Sequence, residues 1–294
     1  MPAFGAVVSR TEHGVRLTAK GRALSIFTLV LFVGFTLAAF NVPLASSAAN
    51  AVEVHHSAQA APTDPQSPMW EQAAESEIPM SAQQMQQPGG GTTKAVRVQA
   101  IEDGITFSIR VSWDDDTKND TVGNLPSDAV AIQLPIDPKH LPYQCMGQSN
   151  SRVNIWQWKA ALEKSAGENL SVTDMGGARN LTSNGICKAV ETNGVAPSAK
   201  SYHDGKAWHV VYWRKLYKGD ISTAPLVRET STSIAFAVWN GARGETRGMK
   251  AVSTWNTLQF QTPAANNTGN LITLAAVVLV SAGLIGWAMR RYSR

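Results

Sequence analysis

The sequence predicts an all-β domain, an antiparallel β-sandwich or barrel, that lies between two apolar segments near the chain ends. Short runs of β-branched and aromatic residues alternate with polar ones, and Gly, Pro, Asn or Asp bounds each run. No long amphipathic helix interrupts these runs, and such spacing is typical of sandwiches and barrels. The 294 residues carry a formal net charge of only +4, and several of the basic residues lie at the chain ends beside the apolar segments, so the charge does not indicate nucleic-acid binding.

The two apolar segments predict membrane or export signals. Ala23–Phe40 follows a basic region, and Leu271–Met289 precedes a short basic tail. Each approaches the roughly 20 apolar residues that a membrane-spanning helix needs. The second segment predicts a transmembrane anchor. The first predicts either a cleaved signal peptide, for which Ala49-Asn50-Ala51 offers a site, or an uncleaved anchor.

The basic residues also predict the orientation of the chain. They lie before the first apolar segment and after the second, and positive charge favours the cytoplasmic side of a membrane. The domain between the segments is therefore expected on the periplasmic, extracytoplasmic face of the cell membrane. The predicted divisions are 1–51 (basic region with signal peptide or signal anchor), 52–92 (linker and lead-in), 93–262 (β-sandwich) and 263–294 (transmembrane anchor with a basic cytoplasmic tail).

The strands are predicted from alternation with a period of two. Lys94–Ile101 and Ile105–Trp113 enclose a Glu-Asp-Gly turn and form a hairpin signal. Five further runs have the same β-branched and aromatic character. They are Asp128–Ile136, Arg152–Leu162, Ala207–Leu216, Thr232–Gly241 and Ser253–Phe260. The segment before Lys94 has little periodicity and is expected to be an irregular tether.

The sequence lacks the common catalytic and metal-binding patterns. The six histidines are scattered without the spacing of a metal site, and no Ser-His-acid arrangement indicates hydrolysis. Cys145 and Cys187 are the only cysteines, so neither a CxxCH haem-attachment motif nor a cysteine zinc site is present. In an oxidising compartment these two residues form either a disulfide or two separate thiols, and the sequence leaves both open.

Several motifs are distinctive in their order and spacing. "QCMGQ" (144–148) is followed by "VNIWQWKA" (153–160), and "AFAVWNG" later precedes "GMKAVSTW". With the "DPQSPMW" opening, this set resembles the haem b-binding gamma subunits of type II enzymes in the dimethyl sulfoxide reductase family. That group includes ethylbenzene and dimethyl sulfide dehydrogenases, selenate, chlorate and nitrate reductases, and nitrite oxidoreductase. The resemblance covers Asp64 to Gln261.

The resemblance implies a fold and a cofactor. In that family the domain is a β-sandwich similar to carbohydrate-binding and DOMON modules, and it holds one non-covalent haem b between a methionine and a lysine. Carried onto this sequence, the axial ligands are Met146 of the "MG" motif and Lys250 before the final strand. Met249 is a rival, but neighbours in an extended segment point to opposite faces, so only one of the two should reach the iron. The residues expected to line the haem pocket are Trp156, Trp158, Val238 and Trp239.

This ligand set is chemically coherent. A thioether is a soft ligand that raises the potential of a haem, and a lysine binds iron only as the neutral amine. Two protein ligands leave no open position on the iron, which favours electron transfer over substrate chemistry. The resemblance thus implies a non-catalytic subunit of a molybdenum oxidoreductase. It would relay electrons between the iron–sulfur (beta) subunit and an external carrier, either cytochrome c or the quinone pool. The beta subunit in turn exchanges electrons with the molybdenum catalytic (alpha) subunit.

A second hypothesis follows from the fold alone. A haemless carbohydrate- or ligand-binding β-sandwich on a membrane anchor would have the same strand pattern. An exposed platform of aromatic side chains favours that hypothesis, whereas a closed slot with Met146 facing Lys250 favours haem.

Overall fold

The computed structural model describes most of the chain between residues 51 and 261. The described residues are 51–84, 90–121, 123, 125–142, 146–168, 177–228 and 230–261, with 10–11, 14–15, 287 and 290–291. The apolar segment Ala23–Phe40 lies outside them, and of Leu271–Met289 only Trp287 is described, so the predicted membrane helices lie outside the described residues. Within the described part of the chain, no helix is long and apolar enough to cross a membrane.

The chain divides into two units, Met1–Ala49 and Asn50–Arg294. In the first unit, Arg10–Thr11 (β1) and Gly14–Val15 (β2) pair as a short antiparallel ladder. The second unit contains fourteen described strands. They are Ala51–His56 (β3), Ser76–Pro79 (β4), Ser81–Ala82 (β5), Ala95–Glu102 (β6), Thr106–Asp114 (β7), Ala129–Pro135 (β8), Val153–Lys159 (β9), Ala178–Ser183 (β10), Val190–Glu191 (β11), Ser198–His203 (β12), Ala207–Lys215 (β13), Ser231–Trp239 (β14), Ala251–Val252 (β15) and Asn256–Phe260 (β16). Between residues 51 and 261, the described helical elements are Ala160–Glu168 (α1) and the 3-10 turns Pro68–Gln72 and Gly241–Arg243.

The strands form two sheets that share one strand. The first sheet has the order β16-β3-β6-β7-β13-β12, with β4 pairing the same edge of β6 as β3. The second has the order β11-β10-β9-β8-β14, and β15 and β5 continue it. β14 belongs to both sheets, because residues 231–234 pair with β16 and residues 235–239 pair with β8. Among the described pairs, only those of β3 are parallel. The predicted β-sandwich is confirmed.

Large aromatic side chains fill the space between the sheets. The rings of Trp156 and Trp158, both in β9, contact four rings of the first sheet at centroid distances of 5.0–6.4 Å. Those four rings belong to Phe107, Trp113, Trp208 and Tyr212. All six side chains are at most 2% exposed. Aromatic residues of this size contribute most of the buried apolar area in such a core.

Tyr212 adds a polar connection between the sheets. Its hydroxyl donates to the carbonyl of Val130 at 2.8 Å and accepts the backbone N–H of Trp158 at 2.8 Å. Val130 and Trp158 lie in the second sheet, whereas Tyr212 lies in the first. The side chain is fully buried, and burial raises the pKa of its hydroxyl, so this group remains a donor at every physiological pH.

The lead-in predicted as an irregular tether over residues 52–92 instead contributes to the sandwich, and that expectation is wrong for its described strands. β3 lies between β16 and β6, and its Val52 and Val54 are fully buried. Trp70 is also buried, and its Nε1 donates to the carbonyl of Asp64 at 2.9 Å. The alternation of β3 is too short to stand out next to a polar, proline-containing segment.

The strand predicted over Arg152–Leu162 ends at Lys159, and α1 follows at once. Ala, Leu, Glu and Lys are strong helix formers, and local propensity prevails once the strand has left the sheet. Glu163 of α1 accepts a hydrogen bond from Trp158 Nε1 at 2.7 Å and from the backbone N–H of Ser201 at 2.9 Å. The helix is thereby attached to both sheets.

We expect Tyr212→Phe to lower the free energy of unfolding by about 1–3 kcal/mol, because it leaves a buried N–H and a buried carbonyl without this partner. Urea denaturation of the full-length protein in detergent, followed by tryptophan fluorescence, measures the change. Tyr202→Phe is the matched control, since Tyr202 is 39% exposed on β12 and should change little. Equal effects of the two substitutions would contradict the assigned role of Tyr212.

Candidate cofactor site

The outer face of the second sheet forms the floor of a cavity of about 1360 Å³. Successive residues of a strand point to opposite faces, so β8, β9 and β14 each send one set of side chains into the core and the other into the cavity. Pockets for small molecules usually measure roughly 300–1,000 Å³, so this cavity has room for a large ligand. Its floor consists of Ala129, Ala131, Gln133, Ile155, Gln157, Ala235 and Ala237.

Alanines make the centre of this floor flat. Ala131 and Ala237 are direct neighbours across the β8–β14 ladder, and Ala129 is the neighbour of Trp239 in the same ladder. The indole Nε1 of Trp239 donates to the carbonyl of Arg247 at 3.0 Å, which fixes the ring at the end of the floor. A flat apolar floor beside an aromatic side chain suits a planar, apolar ligand.

Met146 lines this cavity and packs, half-buried, against the apolar cluster of the floor. Its φ of 59° lies in the left-handed region, which is costly for methionine. Gly147 follows with a φ of 82°, and a Cβ on Gly147 would lie 2.6 Å from the carbonyl oxygen of Ser183 in β10. The "MG" pair is therefore a strained turn that is pressed against β10, and only glycine fits its second position.

Lys250 lines the same cavity directly before β15. Its carbonyl accepts the backbone N–H of Gln83 at 3.1 Å, and the side-chain Nε2 of Gln83 donates to the carbonyl of Gly248 at 2.7 Å. The Nζ of Lys250 lies 4.9 Å from the ring centroid of Trp239, in cation–π contact. Met249, the rival ligand, does not line the cavity.

Glu245 holds the loop that connects Trp239 with Lys250. Its carboxylate is 1% exposed and accepts hydrogen bonds from the N–H and Oγ1 of Thr92 and from the N–H of Asn240, all at 2.9–3.0 Å. A buried carboxylate that accepts several hydrogen bonds restricts the backbone that supplies them. Glu245 and Gln83 thus both restrict the loop that positions Lys250 relative to the floor.

Asp128 holds the other side of the same loop. It is fully buried and accepts hydrogen bonds from the backbone N–H of Gly241 at 2.8 Å, from that of Asn119 at 2.7 Å and from Trp208 Nε1 at 3.0 Å. Burial raises the pKa of this carboxyl, and the nearby negative charge of Asp115 raises it further, against the three hydrogen bonds. Asp128 joins the start of β8 to the end of β14 and to β13.

The structure brings Met146, Trp239 and Lys250 together at one cavity. The other three expected pocket residues are Trp156, Trp158 and Val238. They do not line the cavity and are fully buried in the core between the sheets. The reason is strand parity: the large residues of β9 and β14 face the core, while the residues between them face the cavity.

The floor alanines were not predicted, although the sequence carries a signal for them. "AVAI" in β8 and "AFAV" in β14 alternate small with large apolar residues. Large apolar residues fill a core. In a strand that alternates alanine with large residues, the face that carries the alanines is therefore expected to lie outside the core.

The predicted disulfide concerns a residue outside the described part of the chain. Cys145 is not described, so its pairing with Cys187 stays a prediction. Cys187 itself is exposed, has a φ of 59° and lies among the residues that line the cavity.

Comparisons with known proteins agree with the geometry. A family model described as ethylbenzene dehydrogenase matches residues 67–190. A protein of Haloferax mediterranei described as a respiratory nitrate reductase haem subunit is 29% identical over 232 residues, which cover 76% of this chain and 78% of the relative. The gamma subunit of chlorate reductase from Ideonella dechloratans is 25% identical, and the match covers 67% of this chain and 79% of the relative. The gamma subunit of dimethylsulfide dehydrogenase from Rhodovulum sulfidophilum is 26% identical, and the match covers 71% of this chain and 79% of the relative.

The matches confirm the resemblance: this chain is similar to haem and gamma subunits of reductase and dehydrogenase complexes. Among solved structures, a family 9 carbohydrate-binding module of Caldicellulosiruptor kristjanssonii in complex with glucose is similar at 10% identity and a TM-score of 0.44, over 74% of this chain and 98% of the module.

We expect Gly147→Ala to destabilise the protein by clearly more than the about 1–2 kcal/mol that a left-handed φ costs an L-residue, because its Cβ also meets the Ser183 carbonyl. Gly205→Ala is the matched control. Gly205 has a φ of 93°, and a Cβ there would have no atom within 4 Å, so only the conformational cost applies. Denaturant midpoints of the two variants measure the difference, and equal shifts would show that the turn of Met146 is not pressed against β10.

Proposed function

We propose that this chain binds one non-covalent haem b in the cavity, between Met146 and Lys250, and serves as an electron-transfer subunit of a molybdenum oxidoreductase. One observation carries the proposal. The two side chains that the resemblance selects are distant in the sequence, yet both line one apolar cavity with a flat alanine floor.

The donor set and the shape of the cavity fit this cofactor. A bound haem would supply a reversible one-electron iron couple. Met146 would offer a thioether that favours ferrous iron, and Lys250 would offer an amine that must leave the face of Trp239 and lose its proton. The alanine floor would exclude water from one face of the macrocycle. Because the sequence has no CxxCH motif, these contacts alone would retain the cofactor.

The chain is a non-catalytic subunit, because its relatives are described as haem or gamma subunits of reductase and dehydrogenase complexes. Its partners in our proposal are an iron–sulfur subunit and a molybdenum catalytic subunit, with cytochrome c or a quinol-linked carrier as the external exchange partner. With both axial positions taken by protein, the site would pass electrons and exclude substrate.

A carbohydrate-binding role is not favoured. Sugar-binding surfaces present flat aromatic rings to solvent, and within the described residues 51–261 Tyr202 is the one exposed aromatic side chain. Its ring stacks on His209, with the planes at 22° to each other. The relatives of the chain are also named for haem and redox complexes.

The ligand assignment predicts how three substitutions differ. In the oxidised protein, Met146→Ala and Lys250→Ala should each convert a low-spin haem to a high-spin one, while Met249→Ala should leave it low-spin. Losing the thioether should also lower the midpoint potential, because thioether ligation favours ferrous iron. Electron paramagnetic resonance and redox titration measure both effects, and acid–acetone extraction should remove the haem from all four proteins.

The opposite pattern for the two neighbours would contradict the assignment. If Met249→Ala gives high-spin haem and Lys250→Ala does not, the second ligand is Met249. Haem that stays with the protein after extraction would show covalent attachment.

We further propose that the sandwich lies on the extracytoplasmic face of the membrane, held by Leu271–Met289 and, if it is not cleaved, by Ala23–Phe40. Alkaline phosphatase is active only outside the cytoplasm. Fused after Arg294 it should be inactive, and inserted at the exposed turn of Gly205 it should be active. The reverse result would place the sandwich in the cytoplasm.

A further inference from the structure

The side chains that line the cavity carry more positive than negative charge. Among the described lining residues there are four cations and one carboxylate. The cations are Lys159, Arg179, Arg247 and Lys250, and the carboxylate is Glu245. The hydrogen bonds of Glu245 to Thr92 and Asn240 already engage its oxygens. An apolar cavity whose lining carries an excess of positive charge favours a ligand that has an apolar body and acidic groups.

Two of the four cations lie side by side on one edge of the floor. Lys159 ends β9, and Arg179 lies in the neighbouring strand β10, where it pairs with Gln157. Lys159 and Gln157 point to the same face of the sheet, so Lys159 and Arg179 are diagonal neighbours, with a separation of roughly 7–8 Å expected between such positions. Their side chains can therefore reach two carboxylates of one ligand.

The partners of these two residues differ. Arg179 Nε donates to Glu191 Oε1 at 2.9 Å in an exposed pair, which leaves the Nη groups of the guanidinium for other contacts. For the half-buried ammonium of Lys159, no ion pair or hydrogen bond is found among the described residues. Burial lowers the pKa of Lys159, and the charge of Arg179 lowers it further.

An unpaired, half-buried cation costs stability and does nothing for the fold. The charged form of Lys159 is less stable in the folded protein than in the unfolded chain. Its cost to stability is therefore complete below the folded pKa and is lost as the pH rises from that value to the higher pKa of the unfolded chain. A fold that keeps such a residue at a cavity gains from it only when an anion is bound.

We propose that Lys159 and Arg179 bind the two propionate carboxylates of the haem. The assignment rests on the proposed function and deepens it. The acidic edge of the macrocycle lies toward the β9–α1 junction, and its apolar body lies over the alanines of β8 and β14. Arg247 is exposed and belongs to the loop on the other side of Trp239, so it takes no part.

Two porphyrins test the assignment. Iron protoporphyrin IX carries both carboxylates, whereas its dimethyl ester has the same ring and iron without the charges. Full-length protein in detergent is freed of haem and titrated with each. Lys159→Met and Arg179→Met should each weaken binding of the free acid by about ten- to hundredfold, the range for hydrogen bonds to charged groups. Binding of the ester should change less than threefold.

Lys200→Met is the matched control. Lys200 forms an exposed ion pair with Asp64 at 3.1 Å in the first sheet, so its loss should affect neither porphyrin. All variants should keep a low-spin spectrum, because the axial ligands are intact. In the absence of haem, Lys159→Met should raise the denaturation midpoint at pH 7, since it removes the unpaired charge.

The outcomes separate the two proposals. Variants that weaken both porphyrins equally, or neither, overturn the role of Lys159 and Arg179 while leaving the haem site in place. A wild-type protein that binds neither porphyrin overturns the proposed function, and this assignment with it.

Discussion

The contact between the tryptophans of β9 and the aromatic rings of the first sheet is the interaction on which the rest of the molecule depends. Trp156 and Trp158 can face the core only if Gln157 and Lys159 face outward. The hydroxyl of Tyr212 fixes the same arrangement, because it binds β8 and β9 at once. A shift of β9 by one residue would bring Lys159 into the core and both indoles into the cavity, so the packing of the core also determines the chemistry of the opposite face.

The walls of the cavity depend on buried charge rather than on apolar packing. Asp128 and Glu245 each accept three hydrogen bonds, and between them they hold Asn240 and Gly241 at the start of the loop from Trp239 to Lys250. Removing such a carboxylate would leave buried N–H groups unpaired, which is costly. The loop is therefore held in place on a rigid sheet. A side chain that is to bind iron, as we propose for Lys250, needs a backbone whose position is fixed in this way.

Much of the fold could be predicted from the sequence, because strands that alternate over seven to nine residues, such as β8 and β13, carry a strong local signal. The short strands β3 and β4 could not be predicted, since they are stabilised by long-range pairing with β6. For the site, motif resemblance selected Met146 and Lys250, and their role as ligands stays a prediction. The position of Trp156 in the core could not be predicted, because local sequence does not tell which face of a strand will meet the second sheet. The alternation of alanine with large residues in β8 and β14 did carry a signal for the floor.

Arg214 and Lys159 are two cations for which no contact with a carboxylate is found among the described residues, and their surroundings differ. Arg214 is 2% exposed, yet its guanidinium lies 4.8 Å from the ring centroid of Trp156 and donates to the carbonyl of Ala224 at 2.8 Å. Burial lowers its pKa to about 10, and the groups around it keep it protonated at neutral pH. The core thus supplies the contacts that a buried cation needs. Lys159 lies on the same sheet as Trp156 but has no such contacts among the described residues, and the haem carboxylate that we propose would supply one.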